Sequence, residues 1–240
     1  MAKYWFEQVA GLPVEVDVAT EVRDREPPDT DGTMAIFVSQ SGETADTLAA
    51  LRYMAGKAMQ IVSVVNVPES SIARESDIAL PILAGVEIGV ASTKAFTCQL
   101  TTLAALVLHA ARQRGRIDDA ALAGKLAALR ALPGLMNTAL GIEDRTIALS
   151  RDLAEARDIL FLGRGAMYPL ALEGALKLKE ISYIHAEAYA SGELKHGPIA
   201  LVDPHVPVIV MAPRDALFEK TVSNMQEVMA RHGQVTLLTD

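Results

Sequence analysis

The sequence predicts an α/β protein built on parallel sheets, and three features of its 240 residues support this fold class. Short runs of β-branched and aliphatic residues alternate with longer stretches that have helical periodicity. The short runs are continuously apolar, which is typical of parallel strands that helices cover on both faces. The repeated strand–helix–strand order predicts right-handed crossovers and therefore a doubly wound open sheet.

The elements are predicted in order along the chain. Strands are indicated by MAIFV at 34–38, IVSVV at 61–65, ILFL at 159–162, VPVIVM at 206–211 and VTLL at 235–238. Helical patterns cover the opening MAKYWFEQVAG and the segments 43–55, 92–114, 120–132, 142–156, 168–182 and 216–232. The stretch 115–150 is rich in Ala and Leu, which predicts a helical connector and not a flexible linker.

A weak internal repeat predicts two copies of one α/β subdomain. Segments 33–66 and 207–240 align without a gap, strand on strand and helix on helix. The second copy follows a strand and glycine turn, ILFLGRG at 159–165, that has no counterpart before the first copy. The first copy continues past Asn66 with another strand and a long helix, whereas the second stops at Asp240. We therefore expect both copies to be incomplete at the chain ends.

Composition excludes several classes of function. Half of the residues are hydrophobic and 22% are charged, which excludes a disordered chain. The net charge of −8 argues against non-specific nucleic-acid binding. The single Cys98 lies in an apolar helical pattern and is expected to be a core residue, and the five His show no metal-ligand spacing. The sequence indicates no signal peptide or membrane span, so we expect a cytoplasmic protein. From the His and Cys spacing we also expect no metal, and we expect no cofactor.

The segment SQSGET at 39–44 predicts an anion site. It joins a strand to a helix, where unpaired backbone amides and the helix dipole attract negative charge. No lysine follows Gly42, which excludes a nucleotide P-loop. A simple helix N-cap by Ser41 is the alternative. Four neutral donors at the carboxyl end of a strand favour a phosphate, and they are Ser39, Gln40, Ser41 and Thr44.

Three further groups of residues remain open to two interpretations each. Ser92 in VASTK either caps the helix that follows or faces a ligand. In the helix 168–182, Glu173, Lys177 and Glu180 share one stripe, which is either a solvated salt-bridged face or a carboxylate tuned for proton transfer. Apolar neighbours favour a helix packed on several sides, and they are Leu172, Leu176, Ile181 and Ile184. His196 in the turn GELKHGP either titrates near neutral pH in a site or lies on plain surface.

Three long segments carry a resemblance to a known family. SQSGETADTLAALR at 39–52, EIGVASTKAFTCQL at 87–100, and the segment 160–198 from LFLGRG to GELKHGP resemble the isomerase domain of the glutamine–fructose-6-phosphate aminotransferases, also called glucosamine-6-phosphate synthases. The resemblance covers nearly the whole chain and weakens across 115–150. It implies two flavodoxin-like sugar-isomerase (SIS) subdomains, which we place at 1–132 and 133–240, the first without its initial strand and the second without its final strand, helix and tail.

The resemblance also implies roles for individual residues. The four residues of the 39–44 segment match the family's sugar-phosphate loop, and Val90 and Ser92 match contacts to the sugar chain. Glu180 matches the carboxylate that moves a proton between C1 and C2, and Lys177 supports that step, with Glu173 on the same stripe. His196 matches the residue assigned to ring opening, which reaches the site of a neighbouring subunit, so a homodimer is implied.

The implied reaction converts fructose 6-phosphate and glutamine-derived ammonia into glucosamine 6-phosphate, a precursor of UDP-N-acetylglucosamine. Nothing in the sequence matches the family's glutaminase domain or the tail lysine that forms a Schiff base, so we expect an isomerase fragment that is inactive alone. Two alternatives stay open. One is a stand-alone SIS-type isomerase, deaminase or deglycase, and the other is a sugar-phosphate sensor that would need neither Glu180 nor His196.

Overall fold

A computed structural model describes residues 1–28 and 32–240. The chain divides into two compact units, Ala2–Arg130 and Ala131–Asp240, each of which contains one parallel sheet flanked by helices. The predicted α/β class with parallel sheets is therefore confirmed.

The N-terminal unit is built around a three-stranded sheet of order β1-β2-β3, in which both strand pairs are parallel. Its strands are β1 (Met34–Ser39), β2 (Gln60–Val65) and β3 (Ile78–Pro81). Its helices are α1 (Ala2–Trp5), which continues as a π-helical turn over Phe6–Ala10, α2 (Ala19–Arg25), α3 (Ala45–Met54), α4 (Ser71–Glu75) and α5 (Lys94–Gln113). The division between the units falls within α6 (Asp119–Ala139).

The two faces of β2 show how this unit is packed. Ile61 and Val65 pack with Leu51 of α3 and Ile72 of α4, whereas Val64 packs on the other face with residues of α5. Alternate side chains of a strand point to opposite faces, so a continuous apolar run is what a strand covered on both sides requires. Because the three strands are parallel, their carboxyl ends lie at the same edge of the sheet.

The C-terminal unit has a four-stranded parallel sheet of order β5-β4-β6-β7. Its strands are β4 (Asp158–Gly163), β5 (His185–Ala190), β6 (Val208–Met211) and β7 (Val235–Leu238). Its helices are α7 (Glu143–Leu153), α8 (Met167–Ser182) and α9 (Phe218–Met229), with 3-10 turns over Leu140–Ile142, Ser191–His196 and Pro198–Leu201. One face of the sheet packs on α8 through Phe161 and Ala175, and the other packs on α9 through Leu162 and Val228.

The turn from β4 into α8 depends on a glycine. A Cβ on Gly163 would overlap the backbone carbonyl of Met167, so the chain can fold back this tightly only where no side chain is present. This close approach sets the start of α8 against the end of β4, and α8 carries the stripe of Glu173, Lys177 and Glu180.

The sequence missed one strand and two short helices. The strand β5 reads HAEAYA, in which alanines alternate with polar residues and no continuous apolar run exists. Its alanines face α8, where Ala186 is fully buried, so small side chains serve this close helix–sheet contact. The helices α2 and α4 are only 7 and 5 residues long, which is too short for a clear periodic pattern. The aligned segments 33–66 and 207–240 each fold as strand, helix and parallel strand.

Candidate functional site

The loop 39–44 folds around the hydroxyl group of Ser39. Ser39 is buried at the end of β1, and its Oγ accepts a hydrogen bond from the Gly42 amide at 3.0 Å and lies 3.3 Å from Thr44 Oγ1. Gly42 has a φ of +68°, and a Cβ there would overlap the side chain of Ser70. Because of this turn the chain leaves the strand sharply and enters α3 only after Thr44.

The alternative interpretation of this segment, a helix N-cap by Ser41, is wrong. The helix α3 begins at Ala45, and the residue in the N-cap position, Thr44, makes no side-chain capping bond. The hydroxyl of Ser41 instead accepts a hydrogen bond from the Glu43 amide at 3.2 Å, within the preceding turn. The amino-terminal end of α3 is therefore left without an internal cap, which is the condition under which an external anion binds to a helix start.

Backbone contacts hold the loop in place from the side of β2 and α4. The Asn66 amide donates to the Gln40 carbonyl at 3.1 Å, and the Ile72 amide donates to the Gly42 carbonyl at 3.0 Å. The Ser71 amide donates to the carboxylate of Glu43 at 2.7 Å, and this bond lowers the pKa of Glu43. These contacts occupy the carbonyls and Glu43, while the Gln40 amide group makes no hydrogen bond to the residues described.

A second loop at the same edge of the sheet is organised by Glu87, which was not among the site residues predicted from the sequence. Its carboxylate accepts hydrogen bonds from the Ser92 hydroxyl at 2.6 Å and from the amides of Thr93, Lys94 and Ala95 at 2.8, 3.2 and 3.2 Å. The bond from Ser92, followed by that from Thr93, lowers the pKa of Glu87 to about 2. The helix α5 begins at Lys94, and of the two interpretations of Ser92 the N-cap is wrong because Ser92 donates to Glu87, which caps the helix in its place.

Asn66 joins the two loops and is also absent from the predicted site. Its backbone amide bonds Gln40 in the first loop, while its side chain accepts from the Ala84 amide at 2.9 Å and donates to the Gly85 carbonyl at 2.7 Å. A polar residue directly after β2, the strand between β1 and β3, was the signal that could have identified it. Val90 lies in the second loop with 89% of its surface exposed, so its side chain is open to a ligand.

The structure brings Glu173, Lys177 and Glu180 together on α8. The Lys177 Nζ lies 2.7 Å from Glu180 Oε2 and 3.6 Å from Glu173 Oε1, and 23% to 29% of each side chain is exposed. The hydrogen bond to Glu180 is the main cause of a raised pKa of Lys177. A lysine held charged between two partly buried carboxylates differs from a solvated surface pair, because the surrounding protein screens the charges less than water does.

A cleft of ≈ 400 Å³ lies beside this stripe within the C-terminal unit. Glu173 and Lys177 line it from α8, and Met211 and Pro213 line it from the end of β6. The remaining wall comes from 238–240 at the end of β7. The carboxyl ends of parallel strands are where open α/β sheets bind their ligands, so Glu173 and Lys177 of the stripe face a position suited to chemistry.

The sequence predicted that apolar side chains beside the charged stripe pack α8 on several sides. This prediction is wrong for three of those four side chains. Leu172 and Leu176 are exposed, and 66% of Ile181 is exposed, whereas Ile184 packs into the core. The helix α8 turns Ala171 and Ala175 toward the sheet, and the larger apolar side chains lie on either side of the charged stripe. The charged residues are thus only partly covered, and they stay accessible.

His196 ends the 3-10 turn that begins at Ser191. The turn is anchored by buried Leu194 and by an ion pair of 2.9 Å between Lys195 and Glu227 of α9. The imidazole of His196 is exposed, and among the described residues it has neither a hydrogen bond nor an ion pair with the α8 stripe. The structure therefore leaves His196 accessible and does not bring it together with Glu180.

A second histidine has more internal contacts than His196. His185 Nδ1 lies 2.9 Å from Asp158 Oδ1, and its Nε2 lies 3.6 Å from Glu187 Oε1. The Tyr189 hydroxyl donates to Glu187, which raises the pKa of Tyr189 to about 12. These residues alternate along the edge strand β5, on the face opposite α8, and form a polar network away from the stripe.

The part of the chain that the structure describes contains no group of three or more His, Cys, Asp or Glu placed to hold a metal ion. None of its helices combines the length and apolarity needed to cross a bilayer. Cys98 is half-buried in α5 and packs against a cluster that includes Val64 and Leu103, as expected for a core residue.

Comparison with known proteins places this geometry in a family. The sequence model of the SIS domain family matches residues 1–109 and 152–240 of this chain. The chain belongs to the SIS domain family. It is 62% identical over its whole length to a glutamine–fructose-6-phosphate aminotransferase [isomerizing] of Bradyrhizobium diazoefficiens and 60% identical to that of Brucella abortus. The SIS chain spans 40% of the length of each of these relatives.

Solved structures agree with this assignment. The C-terminal domain of glucosamine-fructose-6-phosphate aminotransferase from Francisella tularensis superposes with a TM-score of 0.98 at 49% identity, over 100% of this SIS chain and 68% of that one. A glucosamine-6-phosphate deaminase from Thermotoga maritima superposes with a TM-score of 0.79 at 25% identity, over 99% of this chain and 70% of that one. The resemblance seen in the sequence is confirmed.

Proposed function

We propose that this SIS chain is the sugar-isomerase portion of a glutamine–fructose-6-phosphate aminotransferase. In that enzyme it would convert fructose 6-phosphate and ammonia from a glutaminase domain into glucosamine 6-phosphate, in cytoplasmic hexosamine synthesis. Identity of 58% to 62% over the whole chain to proteins of that name supports the proposal. The geometric observation that carries it is the position of Lys177 between Glu173 and Glu180, since a binding protein needs no such acid–base group.

The N-terminal unit is assigned the phosphate of the hexose. The uncapped start of α3 and the loop residues Ser39, Gln40, Ser41 and Thr44 supply amide and hydroxyl donors without a cationic side chain. These donors can hold a phosphate dianion through the helix dipole and hydrogen bonds alone. Val90 and Ser92 are assigned to the sugar chain, because both belong to the neighbouring loop at the same edge of the sheet.

The C-terminal unit is assigned the proton transfer. Glu180 takes a proton from C1 of the ketose imine, the C–H electron pair forms a C1–C2 double bond, and the C2–N π pair takes up a proton at nitrogen. The C1 hydroxyl then loses its proton to become the carbonyl, and Glu180 delivers its proton to C2 to give the aldose amine. Lys177 supports the step because its ammonium group, 2.7 Å from Glu180 Oε2, balances part of the charge at the base. Glu173 holds Lys177 from the other side.

His196 is assigned to ring opening of the cyclic sugar, acting on the site of a neighbouring subunit in a homodimer. Its exposure, and the lack of a partner for its imidazole among the described residues, support this role, because the imidazole is available to a group outside its own unit. The proposal also treats 1–132 and 133–240 as the two SIS subdomains, which the division of the structure between Arg130 and Ala131 supports.

A second candidate is a SIS-type deaminase that runs the related conversion in the opposite direction. The likeness to the Thermotoga maritima deaminase, at a TM-score of 0.79, favours it. The sequence identity of 25% to that protein, against 62% to the aminotransferase, favours the first candidate. The two are separated by the substrate that supplies nitrogen, since only the aminotransferase depends on glutamine.

The test is solvent proton exchange at C1 and C2 of sugar phosphate bound to the full-length enzyme. We expect deuterium incorporation with the unaltered protein, a loss of at least about a hundredfold with Glu180→Gln, and no change with Glu155→Gln, a substitution in the exposed turn after α7. Exchange that survives Glu180→Gln contradicts the assigned base. Binding of glucose 6-phosphate without any exchange in the unaltered protein contradicts the enzyme and favours a sensor.

A further inference from the structure

Two helices begin at the carboxyl edge of the N-terminal sheet, and their starting turns are occupied differently. The sheet order β1-β2-β3 places the start of α3 after β1 and the start of α5 near the end of β3. Neither N-cap residue, Thr44 or Thr93, makes a side-chain capping bond. At α5 the amides are bound by the carboxylate of Glu87, whereas at α3 no side chain in the described ranges 1–28 and 32–240 binds them.

Glu87 binds the start of α5 in the way that a bound anion would. One carboxylate oxygen accepts from the amides of Thr93 and Lys94, and the other accepts from Ser92 and Ala95. These donors are the ones a phosphate would need, and the negative charge adds repulsion toward a second anion. The strongly lowered pKa of Glu87 agrees with a carboxylate that stays ionised here.

The two helix starts are joined through Asn66. Its backbone amide bonds the carbonyl of Gln40 in the α3 loop, and its side chain bonds the backbone at Ala84 and Gly85 in the α5 loop. A ligand with its phosphate at α3 would therefore meet a second loop whose position is fixed relative to the first. In that loop Glu87 also fixes Ser92, which lies two residues after Val90.

We propose that Glu87 is a specificity-determining and positioning residue of the sugar-phosphate site. This role rests on the proposed function and adds a residue to it. As an internal anion it fills the start of α5, excludes the substrate phosphate from that end, and leaves the start of α3 as the phosphate site. It also orients the Ser92 hydroxyl and the adjoining loop toward the sugar. The substrate class that this arrangement selects is a sugar with one terminal phosphate and a neutral opposite end.

A local cap would not require this arrangement. A serine or threonine hydroxyl at position 92 or 93 could satisfy one or two of the amides, as it does in most helices. Glu87 reaches the helix from outside, five residues before Ser92, and adds a full negative charge. That charge has an effect on ligand choice that a hydroxyl cap would lack, and a purely structural cap would leave ligand choice unchanged.

The first test counts phosphate sites with inorganic phosphate as the probe, by calorimetry and ³¹P NMR on the full-length protein. We expect Glu87→Ala to bind one more phosphate per chain than the unaltered protein. Adding Ser41→Ala and Thr44→Val to Glu87→Ala should remove the site at α3 and leave the new one at α5. No additional phosphate with Glu87→Ala, in a folded protein, would overturn the proposal.

The same counts separate this inference from the proposed function. Suppose that the unaltered protein binds no phosphate at the 39–44 loop while Glu87→Ala gains one. The assignment of the loop would then fail, and the exclusion of anions by Glu87 would stand. A phosphate at the loop in both proteins, with no gain in Glu87→Ala, would leave the proposed function standing and remove the inference.

The second test covers the case in which Glu87→Ala does not fold. Glu87→Gln keeps the size of the side chain and one accepting oxygen but removes the charge. We expect the KM for fructose 6-phosphate to rise about tenfold with a smaller change in kcat, since the loss of a charged hydrogen-bond acceptor weakens the orientation of Ser92. The matched control is Glu75→Gln, which removes a carboxylate of the same unit that pairs with Arg52 on the surface and should leave both constants unchanged. An unchanged KM with Glu87→Gln would contradict the proposal.

Discussion

The ammonium group of Lys177 lies 2.7 Å from the carboxylate of Glu180, three residues further along α8, and each side chain is only partly exposed. The same ammonium group lies 3.6 Å from Glu173, so one cation is shared by two carboxylates. Glu173 and Lys177 of this stripe also line the cleft beside α8. In the proposed function, this arrangement lets Glu180 act as a base while its charge is partly balanced by Lys177.

Removing Glu180 should change how Lys177 titrates. The hydrogen bond to Glu180 is the main cause of the raised pKa of Lys177, so Glu180→Gln should lower that pKa toward its ordinary value. The folded-state pKa of Lys177 lies above the unfolded value, so this lysine stabilises the protein below pH 10.5 and the contribution disappears as pH rises through the folded pKa. A ¹⁵N NMR titration of the lysine Nζ resonance measures the shift. Lys179→Met, on an exposed side of the helix, should leave the resonance of Lys177 unchanged.

Glu87 should make the stability of the N-terminal unit sensitive to acid. Its folded-state pKa of about 2 lies below the ordinary value of 4.5, so its contribution is present above pH 4.5 and is lost as pH falls toward 2. Glu87→Gln should be less stable than the unaltered protein at pH 7, and this difference should shrink between pH 4.5 and 2. Denaturant unfolding at several pH values tests this, and a difference that stays constant across that range would contradict it.

Gly42→Ala should destabilise the N-terminal unit by about 2 to 4 kcal/mol. The positive φ disfavours any side chain, and the added Cβ would overlap the side chain of Ser70. Gly56→Ala separates these causes, because Gly56 also has a positive φ but no atom within 4 Å of the added Cβ. Denaturant unfolding should show a cost of about 1 to 2 kcal/mol for Gly56→Ala. Equal costs at the two glycines would contradict the tight packing of the loop.

Asn66→Ala should weaken the binding of a sugar phosphate and leave the binding of inorganic phosphate nearly unchanged. The substitution removes the two side-chain bonds to Ala84 and Gly85, which together contribute about 1 to 3 kcal/mol to stability. The bond from the Asn66 backbone amide to Gln40 remains. The phosphate loop should therefore stay formed while the loop carrying Val90 and Ser92 loses its fixed position. Glucose 6-phosphate should then bind about tenfold more weakly, whereas the affinity for inorganic phosphate should change little.

The sequence predicted the strands that are continuous apolar runs, because burial on both faces leaves a local signature in every residue. It also predicted the shared stripe of Glu173, Lys177 and Glu180, because residues three and four apart lie on one face of any helix. It missed β5, in which the alternation of alanine with polar residues has no strong local preference and becomes a strand only by pairing with β4.

The starts of the two helices show what the sequence by itself determined and what required the tertiary structure. The residues SQSGET and VASTK by themselves determined that a helix follows each segment, and local preference offered Ser41 and Ser92 as possible caps. The tertiary structure decided otherwise. The turn at Gly42, where no side chain fits beside Ser70, precedes α3, and that helix begins only at Ala45. The start of α5 is capped by Glu87, which lies several residues earlier in the chain. The donors of the 39–44 segment indicated an anion site from the sequence alone. The bonds by which Glu87 fills the start of α5 depend on the folded path of the loop before that helix, so no local pattern in the sequence shows them.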